Sequence, residues 1–271
     1  MNGEVAIQKK PARAPKPAHT ARLSKHVAPG VHRLEHAHVN CYLVEGDDRA
    51  EGVTLVDTAF PGTWRLLEKA LEAIGRRPDE VRAAVLTHAH FDHLGMASRL
   101  RDELNVPVWG HARDAYIAEH PYRYAHESSR LAYPFRYPRT LPVIARMVRA
   151  GALRVRGLSG LRPIEPLQEL DVPGRPRVVF SPGHTYGHCA LELRGRDVLL
   201  TGDALVTFNP YTAEEGPQVV SGAATADLDM AFLSLDALAV TGAGVLLPGH
   251  GQPWRQGAEA AVAEARLRGP S

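Results

Sequence analysis

Within THAHFDHLG, residues 87–95, four side chains that commonly bind metals are packed into a short run: His88, His90, Asp92 and His93. The run follows VRAAVLT, which reads as a buried strand. It precedes LGMASRLRDEL, in which Leu94, Ala97, Leu100 and Leu104 recur on one helical face. The cluster therefore sits where a strand passes into a helix, the edge at which open α/β sheets usually bind ligands. Imidazole with carboxylate suits zinc, and also iron or manganese. A fold that accommodates this run must gather the end of a strand and the start of a helix around an ion.

Three later segments extend the pattern. His184 follows the strand-like RVVF in SPGHTYGH, Asp203 follows DVLL in TGDAL, and His250 follows VLL in PGHG. Each is a lone polar residue at a strand end, in a glycine-containing loop that lets the backbone turn sharply. Alone, one such histidine is more often a structural residue than a ligand. Together with the first four they make seven candidates in one structural context. Two ions need about that number when one carboxylate bridges them and water completes each shell.

The order HxHxDH, then His, then Asp, then PGHG resembles the metallo-β-lactamase superfamily, over roughly residues 30–268. The resemblance implies an α/β fold, a four-layer αββα sandwich. It implies one metal held by His88, His90 and His184, a second held by Asp92, His93 and His250, and Asp203 bridging both. Two zinc ions are the expected cofactors, with iron or manganese as alternatives. Asp57, at the end of TLVD, is implied to accept the free N–H of a metal-binding imidazole and so fix its tautomer; capping the turn that follows is the competing role. His188 carries the same pair of readings, support for the site or a structural hydrogen bond. The implied chemistry is hydrolysis by a metal-activated hydroxide, since zinc-bound water has a pKa near ~7, with Asp92 orienting the nucleophile. Neither a GxSxG elbow nor a GxxxxGK phosphate loop is present to suggest another mechanism.

The remaining sequence supplies alternating elements. VHRLE, HVNCYLVE and GVTLVD read as strands, and TWRLLEKALEAIG as a helix stopped at Gly75. In the second half PRVVF, ALEL and DVLL are strands, with GRD as a hairpin turn. TADLDMAFLSLDALAV is a capped helix, and residues 257–267 form a closing one. Two strand-rich halves, each ending in helices, match the duplication of the fold resembled. With 271 residues and 44% hydrophobic content, one large domain is expected. Cys41 and Cys189 fall in strand-like runs and should be buried free thiols, although Cys189, beside His188, is a further candidate ligand. No apolar stretch has the length of a membrane span or a signal-peptide core, so a cytoplasmic location is expected.

Residues 1–25 differ in kind: six Lys or Arg against one Glu, three prolines and no apolar periodicity. Such a segment buries too little surface to offset its ordering entropy, and a flexible basic tail over 1–25 is expected before a domain spanning 26–271. The tail carries most of the basic character of a chain whose net charge is +2, so a nucleic-acid partner does not follow from it.

Substrate information should lie between His93 and His184. Residues 111–160 hold nine arginines against three acidic residues, and five of the eight tyrosines fall between Tyr116 and Tyr137. A lid-like helical insertion is expected there, with Tyr133, Arg136 and Tyr137 gripping a small, anionic substrate; a solvated face is the plainer alternative. The resemblance narrows the chemistry by exclusion. Antibiotic-hydrolysing members place Cys or Ser where this chain has Asp203. Acyl-homoserine lactonases carry a tyrosine where it has Val206. The helical glutathione-binding region of glyoxalase II enzymes follows the last ligand, and 21 residues follow His250 here. Three classes remain: a dinuclear hydrolase of a small ester, thioester or lactone; a mononuclear iron enzyme resembling the persulfide dioxygenases, with iron on His88, His184 and Asp203; and a phosphodiesterase or nucleic-acid-binding protein.

Overall fold

The structure is a computed structural model that describes residues 21–129 and 133–271. It opens with four antiparallel strands, β1 (Arg22–Ala28), β2 (Val31–His36), β3 (Val39–Glu45) and β4 (Val53–Val56). Helix α1 (Trp64–Ala73) crosses to β5 (Val81–Val85), which pairs parallel with β4. The short α2 (Phe91–Leu94) and α3 (Ala97–Leu104) lead to β6 (Val108–His111). Then come α4 (Ala115–Glu119), α5 (Tyr133–Arg136) and α6 (Leu141–Ala150), inserted before β7 (Arg162–Ile164). These seven strands form one sheet in sequence order.

The second half begins with β8 (Arg177–Phe180), β9 (Cys189–Leu193) and β10 (Val198–Gly202). A small hairpin, β11 (Val206–Phe208) and β12 (Glu215–Gln218), stands apart. Helix α7 (Leu228–Ala239), β13 (Val245–Pro248) and α8 (Ala258–Arg268) complete the chain. The second sheet has the order β13-β10-β9-β8, with β13 parallel to β10. The β9–β10 connection is a tight turn over Arg194–Arg196, with Asp197 in the left-handed region at φ 56°.

The layering follows from side chains that alternate across each strand. In β3, Cys41 and Leu43 pack on α1 and α3, while Tyr42 and Val44 face the second sheet. In β10, Val198 and Leu200 point to the first sheet, and Leu199 joins Leu235 and Ala261 of the outer helices. Three apolar interlayers result: helix on sheet, sheet on sheet, sheet on helix. This is the four-layer αββα arrangement. Asp227 caps α7 by accepting from the Met230 N–H at 2.8 Å.

The tail boundary requires correction. Residues 22–25, expected in the tail, form the first half of β1, with Arg22, Leu23 and Ser24 paired to β2. β1 is an edge strand with one face in water, so its charged side chains are compatible with pairing. The expectation of a flexible tail otherwise falls on residues 1–20, outside the described residues. Among the described residues, no helix is long and apolar enough to cross a membrane.

Candidate metal centre

All seven candidate ligands are buried. Strand β5 ends at Val85 and delivers His88, His90, Asp92 and His93 from the following loop and the first turn of α2. The second sheet contributes His184 after β8, Asp203 after β10 and His250 after β13. The site thus closes the common end of both sheets.

Ligand atoms of His88, His90 and His184 lie within 4.8 Å of one another, as do those of Asp92, His93 and His250. Asp203 reaches both groups. Its Oδ2 is 3.5 Å from His184 Nε2 and 3.1 Å from His250 Nε2, and its Oδ1 is 3.6 Å from His93 Nε2. Asp92 Oδ2 lies 3.5 Å from His250 Nε2.

The hydrogen bonds behind the rings fix which nitrogen faces inward. His93 Nδ1–H donates to Asp57 Oδ2 at 3.0 Å, and His250 Nδ1–H donates to the His38 carbonyl at 2.8 Å. The Thr87 hydroxyl gives its proton to Asp57, so its oxygen accepts from His88 Nδ1–H at 3.0 Å. The Thr225 hydroxyl gives its proton to the Val220 carbonyl, so its oxygen accepts from His184 Nδ1–H at 3.3 Å. Four imidazoles therefore hold a proton on Nδ1 and turn Nε2 to the cluster. The Nε2 atoms of His88, His93 and His184, and Asp203 Oδ1, are buried without a hydrogen-bond partner. Buried polar atoms are rarely left so. Four imidazole Nε2 atoms aimed inward beside two carboxylates fit divalent cations, which would replace any proton held on those nitrogens.

Electrostatics agree. Burial pulls the His250 imidazole down, but the Asp203 carboxylate outweighs it and pushes the group up to about 10. His93 is likewise raised well above its ordinary value against burial, by Asp203, Asp57 and Asp92. His184, buried and near His90, falls to about 3. Burial pushes Asp203 up, yet His250 and His93 hold it well below the carboxylate range. The cluster attracts positive charge.

Asp57 sits in the left-handed region at φ 56°. Its Oδ1 accepts the Thr87 N–H at 2.8 Å as well, so the residue steadies both the loop and the His93 ring. His188 Nε2 accepts the Asp203 N–H at 3.0 Å, which puts its own proton on Nδ1, donating to Ser181 Oγ at 2.9 Å. It thereby aims Asp203 from behind. Burial lowers His188 to about 3. Gly249 is required on steric grounds: a methyl there would overlap Asp203 Oδ1.

Sequence reasoning missed Asp114, just before α4. Its carboxylate accepts from Gly187 N–H at 2.8 Å, Thr185 Oγ1 at 2.8 Å and Ala89 N–H at 3.1 Å. It ties the His88–His90 loop to the His184–His188 loop. Burial, partly offset by these donors, pushes its carboxyl up to about 6. Cys189 is no ligand: it lies in none of the ligand groupings found among the described residues, its Sγ meets the Gly187 carbonyl at 3.5 Å, and burial pushes the thiol up to about 12. A further grouping of His26, His32 and Glu45 differs in kind, because both His32 nitrogens are already engaged, by the His26 N–H and by Glu45.

The insertion reaches the centre through Tyr124, whose ring lies 4.1 Å from that of His90. A cavity of about 270 Å³ opens beside Asp92 beneath α6, and Tyr133 is among its lining residues. Arg136 and Tyr137 are not. Arg136 is exposed, its guanidinium 5.5 Å from the Tyr137 ring. The expectation that it grips an anion in the site is corrected accordingly: a hydrated guanidinium stacked on a ring stays at the surface rather than entering an apolar wall.

Comparison with known proteins extends these observations. The chain is 26% identical over 250 residues to the probable metallo-hydrolase YflN of Bacillus subtilis (strain 168), covering 83% of this chain and 85% of that protein. The metallo-beta-lactamase family protein TTHA1429 of Thermus thermophilus superposes with a TM-score of 0.61 at 29% identity, over 89% of this chain and 80% of that one. TTHA1623, solved in a di-iron-bound form, superposes with a TM-score of 0.58 at 28% identity, over 82% and 92%. The metallo-beta-lactamase superfamily model matches residues 35–250, a span that begins in β2 and ends on the last candidate ligand. With the layered fold and the buried His/Asp metal cluster at its edge, that match establishes that this chain belongs to the metallo-beta-lactamase superfamily.

Proposed function

We propose that the protein is a dinuclear metallo-hydrolase that cleaves a small ester, thioester or lactone. One observation carries the reading: two triads of ligand atoms, joined by Asp203, with the Nε2 atoms of His88, His93, His184 and His250 aimed inward by bonds on their opposite nitrogens. His88, His90 and His184 would hold one ion, Asp92, His93 and His250 the other, and Asp203 both. Bound there, two divalent cations supply an acidified water and polarise a carbonyl oxygen.

The chain's own residues do the rest. Asp92 faces the cluster and also borders the cavity, so its carboxylate is placed to orient a nucleophile and take up its proton. Burial raises Asp92, but His93 and His250 hold it below its ordinary value, ionised as a base must be. Tyr124 and the neighbouring insertion keep water from the His90 side. The mononuclear iron alternative, with iron on His88, His184 and Asp203, would leave the second triad unused, and metal stoichiometry separates the two. Zinc is the proposed ion, and the di-iron form of TTHA1623 makes iron its rival.

The deciding experiment joins metal analysis of protein purified without added metal to a screen of thioesters, esters, lactones, phosphodiesters and β-lactams. Two ions per chain with acyl hydrolysis is the expected outcome. One iron per chain with oxygen uptake would replace the proposal.

A further inference from the structure

The cavity beside Asp92 says more about the substrate than the metal cluster can. Its walls come from α2, the insertion and the β11–β12 loop, with Phe91, Tyr122, Ile144, Met147 and Tyr211 among them. Among the described lining residues Asp92 alone is charged. Three of the polar groups in the wall are engaged by backbone. Tyr122 donates its hydroxyl proton to the Ala152 carbonyl at 2.9 Å and accepts the Val155 N–H at 2.8 Å. Tyr133 donates to Ser271 O at 3.0 Å, and Thr140 to the Tyr137 carbonyl at 2.8 Å. These three residues offer an occupant ring faces and carbon, not hydrogen bonds.

Helix α6 has a second apolar face that the fold does not use. Val143, Met147 and Ala150 are buried, yet Ile144 and Val148, each 40% exposed, also line the cavity, as does Leu153 just beyond the helix, 71% exposed. Apolar surface left in water at a cavity mouth is surface that an apolar occupant would cover. The Tyr122 and Phe91 rings, stacked with centroids 5.9 Å apart, continue this surface inward to Asp92.

We infer that this cavity holds an uncharged, apolar acyl or aryl substituent of the substrate, with the scissile carbonyl directed to the metal cluster past Asp92. The inference rests on the hydrolase reading above and specifies its substrate class. At about 30 Å³ for each water-sized group, a volume of about 270 Å³ takes a substituent of roughly six to nine heavy atoms. Among the described lining residues there is no cation to meet the anionic substrate that the arginines of the insertion suggest.

The test has two arms. In the first, metal-free full-length protein is titrated with 1-octanol and with toluene, followed by methyl NMR. Shifts confined to the methyl groups of the lining residues, Thr140, Ile144, Met147, Val148, Ala152 and Leu153, are expected, and the stronger of the two probes distinguishes a linear from an aromatic occupant. In the second, zinc-loaded protein is assayed on N-acetylcysteamine thioesters from acetyl to decanoyl, with phenylacetyl alongside. Here kcat/KM should rise about fourfold for each methylene that enters the cavity and then level off. Ile144→Trp, at a part-exposed position that folding does not depend on, should cut the octanoyl-to-acetyl preference at least tenfold. Shifts elsewhere, a flat chain-length series, or an unchanged preference in the variant would overturn the inference. If no acyl compound is cleaved, the hydrolase reading fails while the octanol arm still decides what the cavity binds.

Discussion

Replacing Asp114 by alanine removes the one acceptor shared by Gly187 N–H, Thr185 Oγ1 and Ala89 N–H. The threonine hydroxyl can rotate to another partner, but the two backbone amides cannot. Each buried donor left unmatched costs about 1–3 kcal/mol, so the two together cost about 2–6 kcal/mol. Relief from burying a carboxylate whose pKa sits at about 6 offsets part of this. A net loss of about 3 kcal/mol is expected, a large fraction of the roughly 5–15 kcal/mol that stabilises a folded protein. At about 2–4 °C per kcal/mol for a chain of this size, melting should fall by about 6–12 °C. The same change frees Ala89, between two metal-site histidines, from Thr185 and Gly187, which follow a third. Metal affinity should drop about 10- to 100-fold, as when a hydrogen bond supporting a ligand is lost. Thermal unfolding with and without chelator, combined with a zinc competition titration, reads both numbers. A variant that melts with the wild type and binds zinc equally would show that the two loops hold themselves, and that Asp114 couples nothing.

Three further outcomes are expected. With His250 pushed up to about 10 and His93 raised well above its ordinary value, zinc must displace protons from both rings at pH 7.5. Calorimetry in buffers of different ionisation enthalpy should register about two protons released per chain, and none would contradict the charge state described. Changing His188 to alanine removes the acceptor of the Asp203 N–H; metal affinity should fall about 10- to 100-fold with circular dichroism unchanged, and unaltered affinity would make His188 purely structural. The folded-state pKa of Asp114 is raised, so the native state binds more protons between about pH 4 and 6, and this site's contribution to stability is lost as pH rises through that window. An amide does not titrate. The stability gap between wild type and Asp114→Asn, measured by denaturant unfolding of metal-free protein, should shift against the wild type by about 2 kcal/mol from pH 4.5 to 7.5, and a constant gap would refute it.

Why some of this was readable from residues alone has a physical explanation. The seven cluster residues come soon after apolar strands, so the sequence placed each at a strand end, and the resemblance implied that those ends meet at one site. The layers came from the resemblance, while β3 and β10, buried on both faces, read from the residues only as strands. Asp114 was invisible because its partners are backbone amides 25 and 73 residues away, and an aspartate before a short helix looks like a cap. β1 was mistaken for tail because an edge strand can carry Arg22 and Lys25 in water; its irregular register, with His26 at φ 51°, blurs the alternation further. Arginine count favours an anion, but it does not say which side chains border the metal cluster: Arg136 is exposed, whereas Phe91, Tyr122, Ile144 and Met147 line the cavity beside Asp92.

The division of ligands between the two sheets has a consequence for how the protein reaches its native state. Neither triad can be assembled from one half of the chain: the first needs His184 beside His88 and His90, the second needs His250 beside Asp92 and His93. The same seam is pinned by contacts that also cross the halves, Asn40 N–H to the Gly249 carbonyl at 2.7 Å and the Cys189 N–H to the Thr87 carbonyl at 2.8 Å. Tight metal uptake during refolding must therefore wait until the sheets have docked, which makes it a timer for the last assembly step rather than a seed for the first.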